Sequence, residues 1–267
     1  MLRVLSSLFF LIVAAFAADY DEILKNKNIK IGVSTNMPPF SKISGSKFEG
    51  FEIDFAKALV EKIFPNDVKI TFVGVEQSNR KEAVKNSEVD ILIAAYTRNE
   101  NRAKEVDFSI PYFSIILSTV SKKASNIKNE ADLRYKKVAV IKNTNSYYYL
   151  VDNGYNILEC KDNFDCFKKV KNDEAVAFMH NIVSTATIPI IDPNFEVSLK
   201  FPKLSFMDCV ATQKGNTTLI EKINKSIIEL SKEGFFRQNY ENTFATFYKG
   251  KLDKKYFILD DFYSLIF

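Results

Sequence analysis

Residues 79–102 read NRKEAVKNSEVDILIAAYTRNENR, a charged segment followed by an apolar run and a polar loop. The apolar run, VDILIAA at 89–95, is typical of a strand that is buried on both faces, as the strands of parallel sheets are. In open α/β sheets, ligands bind beyond the carboxyl ends of such strands. The stretch therefore predicts an α/β fold with a binding site in the loop that follows Ala95.

Strands and helices alternate on both sides of this stretch. On its amino-terminal side, periodicity predicts strands at 29–34 and 68–75 and helices at 51–64 and 78–86. On its carboxyl-terminal side, a second series is predicted, with strands at 137–141, 155–160 and 175–179 and helices at 145–153, 163–171 and from about 181. The chain is therefore expected to form two α/β units.

Two long β-rich segments connect these units. Residues 114–123 lead out of the first unit, and residues 206–214 lead back to a strongly amphipathic helix that Gly234 ends. One segment going out and one coming back predict two lobes hinged by a pair of crossing strands. The loops after the strand ends should then face a common cleft, namely those after Ser34, Ala95, Ile141 and Met179.

Composition narrows the functional classes. The chain has 267 residues and 46% hydrophobic content, which suffices for one large core or two modest ones. Positive and negative charges are interspersed, so the net charge of +4 gives no reason to expect a nucleic-acid partner. His180 is the sole histidine, which excludes sites that need two imidazoles, and no metal or cofactor is expected.

The first 17 residues have the features of a secretory signal peptide. Arg3 precedes an apolar run at 4–14, and the residues at 15–17 have the small-x-small form of a signal-peptidase site, so cleavage is expected after Ala17. The alternative, a membrane anchor, needs about 20 apolar residues. No cysteine lies near the cleavage point to carry a lipid, so we expect a soluble periplasmic protein that is not a lipoprotein.

The three cysteines of an exported chain are open to oxidation. Cys160 and Cys166 are close enough in sequence for a small-loop disulfide, whereas Cys209 lies in an apolar run and is expected to be a buried thiol. A small loop removes little chain entropy, so the bridge would stabilise the fold by at most about 2 to 3 kcal/mol.

Five motifs follow one another along the mature chain: PPF at 38–40, GFEID at 50–54, the stretch at 79–102, VDFSIPYF at 106–113 and EGFFRQNYENTF at 233–244. In order and spacing they resemble the polar amino-acid type of bacterial periplasmic solute-binding proteins, the family 3 proteins that capture substrates for ABC importers. The resemblance extends from residue 29 to about residue 244 and so covers nearly all of the mature chain.

The resemblance implies the type II periplasmic-binding-protein fold, with two α/β lobes joined by a pair of hinge strands. Lobe 1 is expected at 18–117 and 210–244, and lobe 2 at 118–209. The many apolar residues of 245–267 predict a C-terminal extension that packs on lobe 1 or on a partner. The partners implied are a small-molecule ligand, held by lobe closure, and a membrane permease, and the protein is expected to be a monomer.

Arg102 is the leading candidate for a ligand-binding residue. Its guanidinium can hold a ligand carboxylate through two parallel hydrogen bonds, and the arginine at this point of the family motif does so. The alternative is a surface arginine that pairs with Glu100 or Glu105. Thr97 and the backbone of Ala95 match family positions that bond to the carboxylate and amino groups of the ligand.

The loop at 142–146 is expected to lie across the cleft from Arg102. Thr144 or Asn145 can cap the helix that begins there, and the N–H groups of its first turn can bind a ligand carboxylate. Capping without a ligand is the alternative, and both can hold at once. The family usually has glycine where this chain has Asn143, which leaves the conformation of the loop open.

At His180 this chain departs from the family pattern. In the family, the strand that matches AVAFM ends in an aspartate that receives the α-ammonium of the ligand, but here His180 and Asn181 follow. A neutral histidine would accept a hydrogen bond from the amine, whereas a protonated one would repel it and favour an additional acid group. A neighbouring carboxylate would raise its pKa, so binding is expected to be tightest at mildly acidic pH. A structural or helix-capping histidine is the alternative.

Arg80 matches an arginine that points into the cleft of acidic amino-acid binders in the family, although it could also lie on a helix surface. With Arg102 and His180 it would give a site of two or three positive groups, which favours an acidic amino acid or a related carboxylate. Phe40 is expected to form an apolar wall for the ligand, and Phe51 to belong to the core of lobe 1.

The chain is therefore predicted to be a binding protein and not an enzyme. The alternative is a periplasmic enzyme on the same scaffold, similar to cyclohexadienyl or arogenate dehydratases. Such an enzyme needs a general acid in the cleft, and His180 is the candidate that stands out. A secreted adhesin or antigen is a third class.

Overall fold

The computed structural model describes residues 19–45, 47–254, 257 and 260. The signal peptide expected at 1–17, with its cleavage site, lies outside the described residues. Within them, eight strands form one large sheet and three short strands form a second.

The helices and strands follow the alternation that the sequence predicts. The α-helices are α1 (Tyr20–Asn26), α2 (Phe51–Ile63), α3 (Arg80–Lys85), α4 (Glu100–Ala103), α5 (Asn145–Asp152), α6 (Asn163–Lys171), α7 (Ile182–Ile191), α8 (Thr217–Lys232), α9 (Phe235–Tyr240) and α10 (Thr246–Tyr248). The strands are β1 (Asn28–Ser34), β2 (Asn36–Met37), β3 (Ser41–Ser44), β4 (Lys47–Glu49), β5 (Lys69–Val75), β6 (Ile91–Leu92), β7 (Val106–Lys122), β8 (Val138–Ile141), β9 (Ile157–Cys160), β10 (Ala177–Asn181) and β11 (Phe195–Gln213). Short 3₁₀ turns cover Gln77–Asn79, Lys123–Ser125 and Glu130–Leu133, and a π-helical turn covers Glu241–Ala245.

The large sheet has the order β5-β1-β6-β11-β7-β10-β8-β9. We call the half built on β5, β1 and β6 lobe 1 and the half built on β10, β8 and β9 lobe 2. Within each half these three strands pair in parallel, as βα units require, and the antiparallel pair β7 and β11 lies between the halves. The two-lobed α/β fold predicted from the sequence is confirmed.

β7 and β11 are the strands that cross between the lobes. Residues 211–212 of β11 pair with β6 in lobe 1, while residues 117–121 of β7 pair with β10 in lobe 2. The pairing of β11 with β7 shifts register between Phe201 and Ser205, where the two strands pass from one lobe to the other. The exact division points, 117/118 and 209/210, stay a prediction.

Helix α2 shows how the GFEID motif shapes lobe 1. Gly50 precedes the helix with φ +129°, and a Cβ at this position would lie 2.5 Å from the Phe40 carbonyl oxygen, so only glycine fits. The helix buries one face, with Phe51 and Phe55 among the buried residues, and it ends at Ile63, because the next residue, Phe64, is extended ahead of Pro65. This places Phe51 in the core of lobe 1, as predicted.

The strand expected at 89–95 is shorter than its apolar run suggests. Only Ile91 and Leu92 form β6, although residues 89–97 are all buried. After Ile93 the chain leaves the sheet, because Ala95 adopts φ +45° and donates its N–H to the buried Glu52 carboxylate at 2.6 Å. The hydrophobicity of this segment predicts that it is buried, but does not predict the turn at Ala95.

The C-terminal extension packs on lobe 1 at Leu252, Phe257 and Asp260, and its Tyr248 hydroxyl also donates to the Val183 carbonyl of α7 at 2.6 Å. The Phe257 ring packs 4.9 Å from Phe113 of β7, and Leu252 is buried. The Asp260 carboxylate accepts hydrogen bonds from the backbone N–H groups of Phe236 and Arg237, at the start of α9. These contacts are those of a packed segment, and the other residues of 255–267 lie outside the described residues.

The cysteines are arranged as the sequence suggests. A disulfide joins Cys160, at the end of β9, to Cys166 in α6, and Cys209 is a buried free thiol. No helix in the described part of the chain is long and apolar enough to cross a membrane.

Candidate functional site

The loops that follow β6, β8 and β10 meet between the lobes. They line an inner cavity of about 20 Å³, to which lobe 1 contributes Arg80, Ala95, Thr97 and Arg102 and lobe 2 contributes Thr144, Asn145, Ser146, His180 and Asn181, together with Ile115 and Leu117 of β7. Of the four loops expected at the cleft, only the one after Ser34 is missing from this lining. A wider cleft of about 580 Å³ opens beside the cavity and shares Arg80, Arg102 and Asn145 with it.

Arg102 lies where the predicted carboxylate anchor should be. Asn99 caps the short helix α4 by accepting from the Arg102 backbone N–H, which fixes the start of the side chain. The guanidinium donates to the Thr97 carbonyl and hydroxyl, both at 2.7 Å, and across the cleft to the Asn143 carbonyl at 2.8 Å. It also stacks 4.5 Å from the Tyr96 ring. Neither Glu100 nor Glu105 pairs with it in the described contacts.

Arg80 also contacts the Tyr96 ring, 5.3 Å from its centroid. Its guanidinium donates to the carbonyls of Gln77 at 2.9 Å, Ala94 at 3.0 Å and Ala95 at 2.8 Å. Burial and the neighbouring Arg102 lower the pKa of Arg80 to about 10, which still leaves it charged at neutral pH. Two arginines that are 4% and 6% exposed thus bring two positive charges to the cavity.

The opposite wall is the turn at the start of α5. Thr144 caps the helix, because its hydroxyl accepts from the Tyr147 N–H at 3.2 Å, and Asn145 donates across the cleft to the Thr97 hydroxyl at 2.8 Å. Asn143 adopts φ +62°, the left-handed conformation that glycine takes readily and asparagine tolerates. Asn143 therefore adopts a conformation that is open to a glycine at this position.

His180 is buried and fully engaged. Its Nδ1 accepts a hydrogen bond from the Asn181 N–H at 2.7 Å, so Nε2 carries the ring proton and donates it to Gln77 Oε1 of lobe 1 at 2.7 Å. Burial, and then the charge of Arg80, lower its pKa to about 3. The expectation of a protonated His180 at mildly acidic pH is therefore wrong, and the reason for expecting tightest binding there no longer holds. Its contact with the ligand stays a prediction.

Phe40 does not lie on the cleft. Its side chain is fully buried in lobe 1, with ring centroids 5.2 Å from Phe113, 5.1 Å from Phe244 and 6.2 Å from Phe51. It lines neither the inner cavity nor the wider cleft. The expectation that it forms a wall for the ligand is wrong, because the Phe40 ring belongs to the hydrophobic core of lobe 1.

Two buried carboxyl groups lie behind the wall of lobe 1. Glu52 accepts from the Ala95 N–H at 2.6 Å and from the Tyr112 hydroxyl, and burial raises its pKa to about 7. Asp208 of β11 is also fully buried, and burial followed by the charge of Glu52 raises its pKa well above the ordinary value. Sequence reasoning overlooked both, although Glu52 lies one and two turns before the buried Ala56 and Leu59 and so falls on the apolar face of α2.

Glu52 and His180 are predicted to give the stability opposite pH dependences. Folded Glu52 keeps its proton up to about pH 7, whereas the unfolded chain loses it near 4.5, so its contribution to the free energy of unfolding falls as pH rises through that window. Folded His180 lacks a proton down to about pH 3, whereas the unfolded chain binds one below 6.5, so its contribution rises with pH through that window.

We expect Glu52→Gln to make the slope of unfolding free energy against pH more positive between pH 5 and 7. His180→Gln should make the slope more negative between pH 4 and 6. Each change should amount to at most about 1.4 kcal/mol per pH unit, which corresponds to one proton. Urea unfolding of both variants and the parent at several pH values measures this, and slopes that match the parent would contradict the assigned protonation states.

Among the described residues, four polar contacts hold the lobes together at the cleft: Gln77 with His180, Thr97 with Asn145, Arg102 with the Asn143 carbonyl, and the Asn143 amide with the Ser78 carbonyl at 3.2 Å. A cavity of about 20 Å³ has room for little more than one water molecule. An amino acid can therefore enter only when these contacts rearrange.

No group of three or more His, Cys, Asp or Glu residues suited to a metal ion occurs within the described ranges.

Comparisons of sequence and structure show which known proteins this chain is similar to. The sequence profile of the bacterial extracellular solute-binding proteins, family 3, matches residues 29–246. A glutamine-binding protein of an ABC transporter in Bacillus subtilis is 28% identical over 224 residues, or 82% of each chain. A glutamate/aspartate import solute-binding protein of Salmonella typhimurium is 30% identical over 176 residues, 62% of this chain and 58% of that one. The crystal structure of a solute receptor for L-cysteine from Neisseria gonorrhoeae superposes with a TM-score of 0.83 at 29% identity, covering 90% of this chain and 99% of that one.

Proposed function

Because the chain belongs to family 3 of the bacterial extracellular solute-binding proteins, we propose that it captures an acidic amino acid or a related small carboxylate between its lobes. It is the substrate-binding component of an amino acid ABC importer, as its relatives are. The proposed preference for an acidic ligand rests on one observation, the charge of the inner cavity. Among the described residues that line it, two are arginines and none is a carboxylate.

The two arginines are paired with dipoles and not with charges. All the hydrogen bonds described for their guanidinium groups go to backbone carbonyls or to the Thr97 hydroxyl. Buried charges without a counter-charge are costly, and a ligand that brings negative charge lowers that cost. The buried acids nearby offset the arginines only in part, because the pKa values of Glu52 and Asp208 are both raised.

Arg102 alone would suit any amino acid, since every amino acid has a carboxylate. The preference for a second acid group rests on Arg80, whose buried guanidinium lines the same cavity. A relative that imports glutamate and aspartate is consistent with this choice, whereas relatives that bind glutamine or L-cysteine show that the scaffold also serves neutral ligands.

Capture is proposed to occur by lobe closure, after which a membrane permease would accept the ligand from the closed protein. Thr97 and Arg102 of lobe 1 and Asn145 and His180 of lobe 2 lie on opposite sides of the cavity, so the site is complete only when the lobes meet. Export through the signal peptide, cleavage after Ala17 and action as a soluble periplasmic monomer belong to the same proposal.

The geometry of His180 supports binding over catalysis. A dehydratase would need a general acid in the cleft, but the His180 ring uses both nitrogens in hydrogen bonds and has a pKa near 3. Incubation with prephenate or arogenate should therefore give no product. Product formation would favour the enzyme.

The proposal is tested by identifying what the protein carries and what stabilises it. Small molecules released from the purified, denatured protein would be identified by mass spectrometry. Thermal unfolding would then be followed with L-glutamate, L-aspartate, L-glutamine, L-cysteine and L-arginine, and we expect the acidic pair to raise Tm most. A shift confined to neutral or cationic amino acids would overturn the acidic preference and leave the binding function in place.

A further inference from the structure

We propose that Asp208 is a specificity-determining residue of the site, whose carboxylate provides the negative charge for the ammonium group of a bound α-amino acid. This inference rests on the proposed function. A bound ammonium group needs a negative charge nearby, because it would otherwise lie beside the positive charges of Arg80 and Arg102 alone. His180, which stands in place of the family aspartate, is neutral and bonded to Gln77.

The backbone places Asp208 directly beside Thr97. The two residues form an isolated antiparallel bridge, flanked by hydrogen bonds from the Arg98 N–H to the Met207 carbonyl at 3.3 Å and from the Cys209 N–H to the Tyr96 carbonyl at 3.1 Å. This pattern makes Thr97 and Asp208 a non-hydrogen-bonded pair, whose side chains share one face with Cβ atoms about 4.5 to 5.5 Å apart. Since Thr97 lines the inner cavity, the Asp208 carboxyl lies immediately behind that wall.

Both carboxyl oxygens of Asp208 are buried and accept no hydrogen bond from any described residue. Buried polar groups in folded proteins are almost always paired, so two unpaired oxygens on one side chain call for an explanation. The neighbouring Glu52 differs, because one of its oxygens already accepts from the Ala95 N–H and the Tyr112 hydroxyl. Glu52 keeps one unpaired oxygen, Oε2, whereas both oxygens of Asp208 are unpaired among the described residues, so Asp208 is the buried acid with the greater acceptor capacity at this wall.

The charged groups around Asp208 act on it in both directions. Burial and the Glu52 carboxyl favour its protonated form, whereas Arg80 and Arg102 favour the ionised form, and Tyr112 and Cys209 also lie within electrostatic reach. A ligand ammonium arriving at Thr97 adds one more positive charge and shifts the balance towards the carboxylate. A ligand without an amine adds none.

Paired ligands that differ only in the amine test this role. Calorimetry would compare L-glutamate with glutarate, L-aspartate with succinate, and L-cysteine with 3-mercaptopropionate, on the parent protein and on Asp208→Asn. We expect Asp208→Asn to lower the affinity for the amine-bearing member about tenfold to a hundredfold and to leave its partner nearly unchanged. Asp54→Asn is the control, because Asp54 is an exposed acid of α2 that lines neither cavity, and it should leave the affinity for both members of a pair unchanged.

A second measurement needs no variant. Titrations of the parent protein in two buffers of different ionisation enthalpy give the number of protons released, and an amine-bearing ligand should release more protons at pH 7 than its amine-free analogue. Equal losses for both members of a pair in Asp208→Asn, or equal proton release in the parent protein, would overturn the role of Asp208. Binding of L-cysteine without binding of either acidic amino acid would instead overturn the acidic preference, and the cysteine pair would still decide the role of Asp208.

Discussion

Arg102→Ala is expected to lower the affinity for the acidic ligand by tens to thousands of fold while the protein remains folded. The interaction that we propose would be lost is a buried, charge-assisted pair with the ligand carboxylate, and removing one partner of such a pair costs about 2 to 5 kcal/mol. The guanidinium also bonds to the Thr97 carbonyl and, across the cleft, to the Asn143 carbonyl, so the closed arrangement is weakened as well. Isothermal calorimetry measures the affinity.

The matched control is Arg98→Ala. Arg98 belongs to the same loop as Arg102, but its side chain is exposed and lines neither cavity, so its removal should leave the affinity unchanged. Circular dichroism and urea unfolding establish that both variants are folded. Affinity close to that of the parent in Arg102→Ala would remove this residue from the site.

Phe40→Ala is expected to lower the free energy of unfolding by about 3 to 5 kcal/mol, the usual cost of deleting a buried phenylalanine ring. The ring is fully buried among Phe51, Phe113 and Phe244, so its removal leaves a cavity in the core of lobe 1. Because Phe40 lines neither cavity, the affinity of the folded variant should stay that of the parent. Urea unfolding and calorimetry measure the two quantities separately.

Phe164→Ala serves as the control for the loss of an aromatic ring. Phe164 is 56% exposed in lobe 2, and its removal should change the free energy of unfolding by no more than about 0.5 kcal/mol. A Phe40→Ala variant that kept its stability but lost affinity would restore Phe40 to the wall of the cleft.

Most of the architecture follows from periodicity in the sequence. The two βα series produce patterns that repeat every two or every three to four residues, and the structure has these elements close to their predicted bounds. The two crossing strands are longer than predicted, because they begin at Val106 and Phe195 and not at 114 and 206. The predicted strands are less accurate where a local turn, and not hydrophobic periodicity, determines the length of the strand. The apolar run at 89–95 gives a strand of only two residues because the chain turns at Ala95. The small sheet of β2, β3 and β4 could not be predicted, because its residues show no strong hydrophobic periodicity.

Part of the site follows from the sequence and part depends on tertiary contacts. Arg80, Thr97, Arg102, Thr144 and Asn145 lie where strand-end reasoning and the family resemblance put them. The environments of His180 and Asp208 could not be read from the sequence, because each depends on residues far along the chain. Gln77 bonds to the His180 ring from the other lobe, and the bridge to Thr97 brings Asp208 behind the cavity.

The central claim is that the positive charge of the cavity selects the ligand. Calorimetric titration of the parent protein with L-glutamate and, separately, with L-arginine tests it directly. We predict saturable binding of one L-glutamate per chain and no measurable binding of L-arginine, because a cationic side chain in the inner cavity would face Arg80 and Arg102, with no carboxylate among the described residues that line this cavity. Tight binding of L-arginine, with none of L-glutamate, would contradict the account.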